Sequence, residues 1–532
     1  MPSGFDHLID DYLQDLCEEA PTSASALGFD GFDDQLGDLS QQGFERRNES
    51  RERWAKQFSD RPEADLTFEE STDKALVMST LHGGRLSEQW QGEKRDPTVY
   101  LGPGLQGVFS LFQHRLRPIE ELVTSAASRM RQVPEMLEDG KKNLDPALAS
   151  KLSIDRGLKQ CASAIGFFSK PEVDDPALAE AGEQAADACR DFASFLEDLA
   201  KSASGEWAIG EDLYSRLLTE KEQLSYGAAE MLERGKASYA ELDKEITAFS
   251  KQHFDNEDWV EALKVLRETE HAESPEHLRQ QYEYWSEEAR RFLKERDLVT
   301  MPEGEVCHVV PAPGFQRAVL SVASYSAPPP MKGSKVGHFF VPYPVDGTSA
   351  EEVDKRMKGS GLAGIATTSV HEAYPGHHWH LVKMQDSPRK IRKVLRTAYF
   401  TEGWALYAER MMREQDFYPT PAQVLAHLGA RIFRAARIVV DTSLHMKIMT
   451  FEDAVRFIME KGLIESTATA EVTRYCAWPT QASSYFTGAV EIERMRDEYF
   501  SRGQGDLKSF HDTMATMGGL PLGLAERVLK EG

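Results

Sequence analysis

Residues 366–381 read ATTSVHEAYPGHHWHL, with four histidines and one glutamate inside the ten positions from His371 to His380. The whole chain has only 15 histidines in 532 residues, so the cluster calls for a chemical explanation. Zinc hydrolysis needs two neutral imidazoles, a third ligand, an open position for water and a carboxylate beside that water. A helix bearing H-E-x-x-H supplies both rings and the carboxylate on one face. Here the position four after His371 is Pro375, which cannot bind metal. Removing Pro375 and Gly376 leaves His371, Glu372, Ala373, Tyr374 and His377, a regular H-E-x-x-H. The Pro-Gly pair therefore reads as a two-residue insertion that bulges or kinks the helix and returns an imidazole to the metal. Proline removes a helical hydrogen bond and glycine permits unusual dihedrals. His377 is the ligand by this register. His378, seven residues from His371 and about 10 Å along an undistorted helix, is the alternative, as a ligand or as a donor to the reacting oxygen.

A third ligand has to come from another element, and Glu402 in YFTEGWALYAERMM is the candidate, 31 residues after His371. That gap lets the first helix end, a loop turn near Ser387-Pro388, and a second helix run back antiparallel. Glu409, seven residues further on roughly the same face, is placed to accept the N–H of a ligand imidazole. Glu372 is the general base, taking a proton from the attacking water and passing it to the leaving nitrogen. The expected cofactor is one divalent metal ion, Zn2+ in preference to manganese or cobalt, because two imidazoles and a carboxylate suit it.

These motifs resemble the bacterial domain-of-unknown-function 885 family, which carries an HExxPGHH element and a downstream EGWALYAE element and is placed among zincin-type metallopeptidase-like proteins. The resemblance spans most of the chain. It rests on His371 to His378 and Glu402 to Glu409, with support from AIGEDLYSRLL (Ala208 to Leu218), RAARIVVDTSLH (Arg434 to His445) and RYCAWPTQASSYFTG (Arg474 to Gly488). Family members usually show Pro-Gly-Gln where this chain has Pro479-Thr480-Gln481. The resemblance implies a metallohydrolase fold more firmly than a substrate.

An amide hydrolase also needs a donor to the developing oxyanion. Tyr485 is the first choice, standing among small residues in QASSYFTG inside a family-like segment. Among Arg434, Arg437 and Arg474, which could hold a peptide carboxylate by paired hydrogen bonds, Arg474 is the expected substrate contact. Tyr325 and the strand His338 to Val341 are expected to flank the metal as an edge that pairs with an extended substrate. Asp441 and His445, four apart on one helix, are either an oriented acid or an intrahelical hydrogen bond.

Around these residues the pattern is helical from Phe5 to about Val299, with a legible start at Ser274-Pro275-Glu276. Residues 301–347 turn rich in Val, Phe, Tyr, Pro and Gly (CHVVPAPGF, RAVLSVASYSAPPP, VGHFFVPYPVDG) and read as short strands, with Pro328 to Pro330 excluding a central strand. Helix returns at a Ser349/Glu352 capping box, with further starts at Thr420-Pro421 and Thr450. The expected fold is mainly α: a large two-lobed helical body with a deep cleft, and a small antiparallel sheet beside a zincin-like helix pair. Residues 1–300 form one lobe as cleft wall, and 301–532 carry the metal, with the sheet in 301–347 and helices in 349–532.

With 62 basic against 87 acidic side chains the formal charge is −25, so a nucleic-acid partner is not expected. At 41% hydrophobic and 28% charged the composition is that of a globular protein. Five scattered cysteines make no disulfide framework or CxxC site. The start MPSGFDHLIDDYLQDL is acidic rather than export-like, and no window has the ~18 to 20 apolar residues of a membrane span. A cytoplasmic location with no membrane partner follows. The expected function is a zinc-dependent metallohydrolase, foremost a carboxypeptidase- or dipeptidase-like enzyme on short peptides. A hydrolase of a non-peptide amide or acylated small molecule would use the same residues, and a non-catalytic helical metal-binding protein is the reading from a different class.

Overall fold

The structure is a computed structural model that describes residues 3–313, 317, 322–345, 347–462 and 465–532. It is mainly helical with one small sheet. The helix starts have local causes. Ser274 accepts the His277 N–H at 3.0 Å ahead of Pro275, and Thr420 forms a capping box with Gln423 ahead of Pro421. Ser349 and Thr450 cap in the same way. No helix among the described residues is long and apolar enough to cross a membrane.

The chain divides into two compact units, Met1–Trp207 with Pro329–Ser334, and Ala208–Pro328 with Lys335–Gly532. The expected lobe boundary near residue 300 is thus displaced. Helices Ala228–Phe254, Trp259–Thr269 and Pro275–Glu295 belong with the site-bearing unit. Their packing shows why. A Cβ on Gly235 would meet Ile438 at 2.6 Å, and the Tyr282 carbonyl accepts from Ser369 Oγ at 3.3 Å. Helical periodicity is the same on both sides of residue 207, so composition carries no mark of the boundary.

In the first unit the core gathers Tyr100, Met130, Phe168, Phe192 and Leu196 from four helices. Arg129, fully buried, donates to the carbonyls of Phe32 (3.0 Å), Gln35 (3.1 Å) and Gly107. Burial lowers its guanidinium to about 10.

The sheet lies in the second unit, with strands β1 (Val306–Pro311), β2 (Ser324–Ser326) and β3 (Val336–Val341) in the order β1-β3-β2. It is mixed, not antiparallel as expected. β1 pairs with β3 in parallel and β2 with β3 antiparallel. The long connection from Pro311 to Val336 is what allows the parallel pairing, since a tight hairpin cannot return a strand in the same direction. β3 is therefore the centre of the sheet, and His338 to Phe340 are paired on both sides instead of forming an edge. Pro328 to Pro330 stay outside the strands, and Pro330–Lys332 forms a 3-10 turn. Parts of the expected strand runs, residues 314–316 and 318–321, lie outside the described residues.

Candidate metal centre

The H-E-x-x-H-like segment is broken where Pro375 and Gly376 stand. A helix runs Ile365–Glu372, the chain turns through a cis Tyr374–Pro375 peptide, and a second helix runs His377–Lys383. Gly376 N donates to Val370 O at 3.0 Å, closing a turn wider than a helical one. A Cβ on Gly376 would lie 1.9 Å from the His371 carbonyl oxygen, so only glycine fits this return. Trp404 Nε1 donates to Pro375 O at 2.8 Å, tying the turn to the helix Ala398–Glu414 that carries Glu402.

The turn sends the four histidines to three different places. His371 and His377 face each other, ring centroids 4.9 Å apart and nearly perpendicular at 88°. Their Nε2 atoms lie 3.6 and 3.3 Å from Glu402 Oε2. His378 is fully buried, with Nδ1 2.9 Å from the Tyr325 hydroxyl and Nε2 3.0 Å from Glu305 Oε2. Both of its nitrogens are engaged, so it is neither the second ligand nor a donor to a reacting oxygen, contrary to the alternative kept open above. Tyr325 is corrected with it: its hydroxyl serves His378 instead of a substrate. His380 is buried between Phe400 and Trp404, with ring centroids at 5.5 and 5.4 Å, and burial lowers it to about 3, so it is a neutral core ring.

Glu409 stands behind His371 as expected. Its Oε1 takes the His371 Nδ1 proton at 2.7 Å, which leaves Nε2 directed at Glu402. Thr367 Oγ1 donates to Glu409 Oε2 at 3.0 Å, Tyr418 donates to the Glu409 carbonyl at 3.1 Å, and Arg434 lies 3.9 Å from Oε1. Burial works against the Glu409 anion, but Arg434 and His371 hold it down to about 2. At Glu402 burial also opposes the charge, and the His377 and His371 rings keep the carboxyl well below its usual range. At His371 burial disfavours the charged ring, yet Glu402 and Glu409 raise it to about 10. The field that stabilises a proton on His371 favours any cation at that position.

One nitrogen each from His371 and His377 and one Glu402 oxygen lie within 4.8 Å of one another. Ligands on a tetrahedral shell of ~2.0 to 2.2 Å radius stand roughly 3.3 to 3.6 Å apart. The observed contacts to Glu402 match that spacing, so these three residues fit a small divalent cation. His377 and Glu402 keep 12% and 22% of their side chains exposed, whereas Glu409 is sealed at 1%. The ligand face is open while its support is closed. Glu372, next to His371, has its carboxyl raised by burial, against the pull of His371 and His377.

Tyr485, on the helix Gln481–Ser501, lies parallel to His371 at a centroid distance of 6.5 Å and an interplanar angle of 17°. Burial and the Glu402 carboxylate raise its phenol. Gln481 Nε2 donates to its hydroxyl oxygen at 3.2 Å, and Arg474 donates to Gln481 Oε1, fixing which way that amide faces. Thr480 takes φ +68°, the left-handed conformation that a glycine would adopt freely.

The sequence of residues 21–529 matches the family model described as bacterial protein of unknown function, DUF885. The chain belongs to the DUF885 family. Comparison with curated proteins gives no match. Two solved structures share the fold of this DUF885 chain. One, described as a lipoprotein of unknown function from Shewanella oneidensis, has a TM-score of 0.81 at 20% identity over 100% of both chains. The other, described as a lipoprotein from Colwellia psychrerythraea, has a TM-score of 0.79 at 19% identity, covering 100% of this chain and 99% of that one.

Of the predicted site residues in this DUF885 chain, His371, His377, Glu402 and Tyr485 come together, Glu372 interacts electrostatically with the first three, and Arg474 reaches Tyr485 through Gln481. Asp441 Oδ1 and His445 Nε2 approach to 3.7 Å, a close pair but beyond hydrogen-bond distance, and their hydrogen bonds go elsewhere. Asp441 accepts from Tyr214 at 2.8 Å and from Ser483 N at 3.3 Å, while His445 Nε2 lies 3.0 Å from Tyr475 O. Sequence reasoning missed Glu305, which gathers His378, Tyr374 and Arg290, and it ranked Arg437, whose guanidinium lies 5.0 Å over the Tyr485 ring, below Arg474. A lone carboxylate at the mouth of an apolar strand, as in GEVCHVV, was the available signal for Glu305.

Proposed function

We propose that this DUF885 protein is a zinc-dependent metallohydrolase of the zincin type that cleaves amide bonds in short peptides. The observation that carries the reading is the convergence of His371, His377 and Glu402 within 4.8 Å of one another, with Tyr485 6.5 Å from the His371 ring and Glu372 within electrostatic reach of all three. A divalent zinc held by those three residues would polarise the scissile carbonyl and bring the pKa of water down toward ~7.

The chain's own groups supply the rest. Glu372, its basicity raised by burial, accepts a proton from the attacking water and delivers it to the leaving nitrogen. Gln481 occupies the Tyr485 oxygen as an acceptor, so the phenol proton is free to point at the substrate oxygen as it gains charge. Glu409 fixes the His371 ring and its tautomer. A metal-storing protein has no use for a base placed as Glu372 is, which favours turnover over mere binding. Cytoplasmic location belongs to the same proposal and is supported by five cysteines that are all free thiols.

The test is metal analysis of wild type and Glu372→Gln beside an assay on mixed tripeptides. Both proteins should hold about one zinc per chain, and only the wild type should hydrolyse peptides. A wild type that binds no zinc, or a variant that turns over as fast as wild type, contradicts the reading.

A further inference from the structure

Beyond Tyr485 the wall of the site carries more positive charge than its own structure uses. Arg437 NH2 and Arg474 NH2 donate to the same oxygen, Glu471 Oε2, at 2.9 and 3.0 Å. The Tyr475 hydroxyl donates to that oxygen as well, at 2.6 Å. Two guanidiniums and a phenol thus share one carboxylate, so the cluster has two cations to one anion. In a chain of net charge −25 such a surplus beside a metal-type centre is against the average. Neither cation is sealed: Arg437 and Arg474 keep 12% and 31% of their side chains exposed, and Glu471 keeps 22%.

The spacing is short. The Tyr485 ring lies 6.5 Å from the His371 ring, and the Arg437 guanidinium lies 5.0 Å over the Tyr485 ring. These two steps correspond to at most about three extended residues at ~3.4 Å each. Gln481 joins the row, bonded to both Arg474 and Tyr485. A substrate whose scissile carbonyl sits beside Tyr485 would bring the portion just past that bond under the guanidiniums.

We infer that Arg437, together with Arg474, binds a carboxylate of the substrate one to three residues beyond the cleaved bond, making the site selective for carboxylate-ended peptides. The inference rests on the hydrolase reading above and names its substrate class. Arginine is suited to the task because its planar fork holds a carboxylate through two parallel hydrogen bonds, which a lysine cannot do. The carboxylate belongs either to the free C-terminus or to an acidic side chain of the last residue.

Zinc-loaded Glu372→Gln protein, in which binding is separated from turnover, provides the test by calorimetry. Three tripeptide probes differ only at the end: Ala-Ala-Ala as the free acid, the same peptide amidated, and Ala-Ala-Glu amidated. The free acid, the amidated glutamyl peptide, or both should bind at least about 30-fold tighter than amidated Ala-Ala-Ala, and which of them does so identifies the source of the carboxylate. Adding Arg437→Gln should bring that ratio to within about threefold, and Arg437→Lys should recover only part of it, with zinc content unchanged. Equal binding of all three probes overturns the inference, as does a selectivity that survives Arg437→Gln. Wild type that hydrolyses all three probes at equal rates sinks the carboxylate site alone. Selective binding with no hydrolysis by wild type sinks the hydrolase reading alone.

Discussion

At the scale of the residue, the histidine cluster shows how similar side chains are told apart by what surrounds them. His371 keeps an open Nε2 because Glu409 has taken its Nδ1, whereas His378 has both nitrogens engaged and His380 lies between aromatic rings. The spacing from Pro375-Gly376 was enough to rank His377 above His378, but nothing local linked His378 to Glu305, because that carboxylate comes from 73 residues away. Tyr485 is the residue whose role is most directly measurable. Its replacement by Phe keeps the ring against His371 and removes the hydroxyl donor. The expected result is a fall in kcat of roughly 100-fold with a much smaller change in KM, measured on the peptide that wild type cleaves best. An unchanged kcat removes Tyr485 from the mechanism.

At the scale of the element, the site is assembled by two helices that touch backbone to backbone. Gly403, next to Glu402, and Gly488, three after Tyr485, meet where a Cβ on Gly488 would lie 1.9 Å from Tyr399 O and 2.7 Å from the Gly403 Cα. Gly488→Ala should therefore cost about 1 to 3 kcal/mol in denaturant unfolding. Gly166→Ala, in a helix with nothing within 4 Å, should be neutral or stabilising. Equal effects at the two positions would contradict this packing. The second of these helices begins at Thr480, which provides no side-chain cap, and Asp441 from the neighbouring helix accepts the Ser483 N–H instead. Burial raises the Asp441 carboxyl to about 7 from an ordinary 3.8. Between those values the folded chain binds more protons than the unfolded one, so the contribution of Asp441 to stability is greatest at low pH. It falls as pH rises, by at most about 1.4 kcal/mol per pH unit. Asp441→Asn keeps an acceptor for Tyr214 and Ser483 without the titration. Its melting temperature relative to wild type should rise from pH 4 to pH 7 and then level off, and a flat difference would refute the assignment. Helix starts such as Ser274, Thr420 and Thr450 were legible because a cap is a local event, while a cap lent by Asp441 across 42 residues was not.

At the scale of the whole molecule, the helical class and the existence of a small sheet followed from periodicity, but neither the unit boundary nor the strand order did. The boundary at Trp207 falls between helices of like composition, and the parallel pairing of β1 with β3 depends on a connection whose path periodicity does not encode. The candidate centre draws on three elements of one unit: the broken helix with His371 and His377, the helix of Glu402, and the helix of Tyr485. If that assembly is a zinc centre, metal binding and folding of this unit are linked, since a cation held only by the folded chain stabilises it. The direct measurement is anomalous diffraction at the zinc edge from crystals of zinc-loaded protein. The account predicts one strong peak bonded at ~2.0 to 2.2 Å to His371 Nε2, a His377 ring nitrogen and a Glu402 carboxylate oxygen. A peak that leaves out any of these three, or no peak between them, contradicts it.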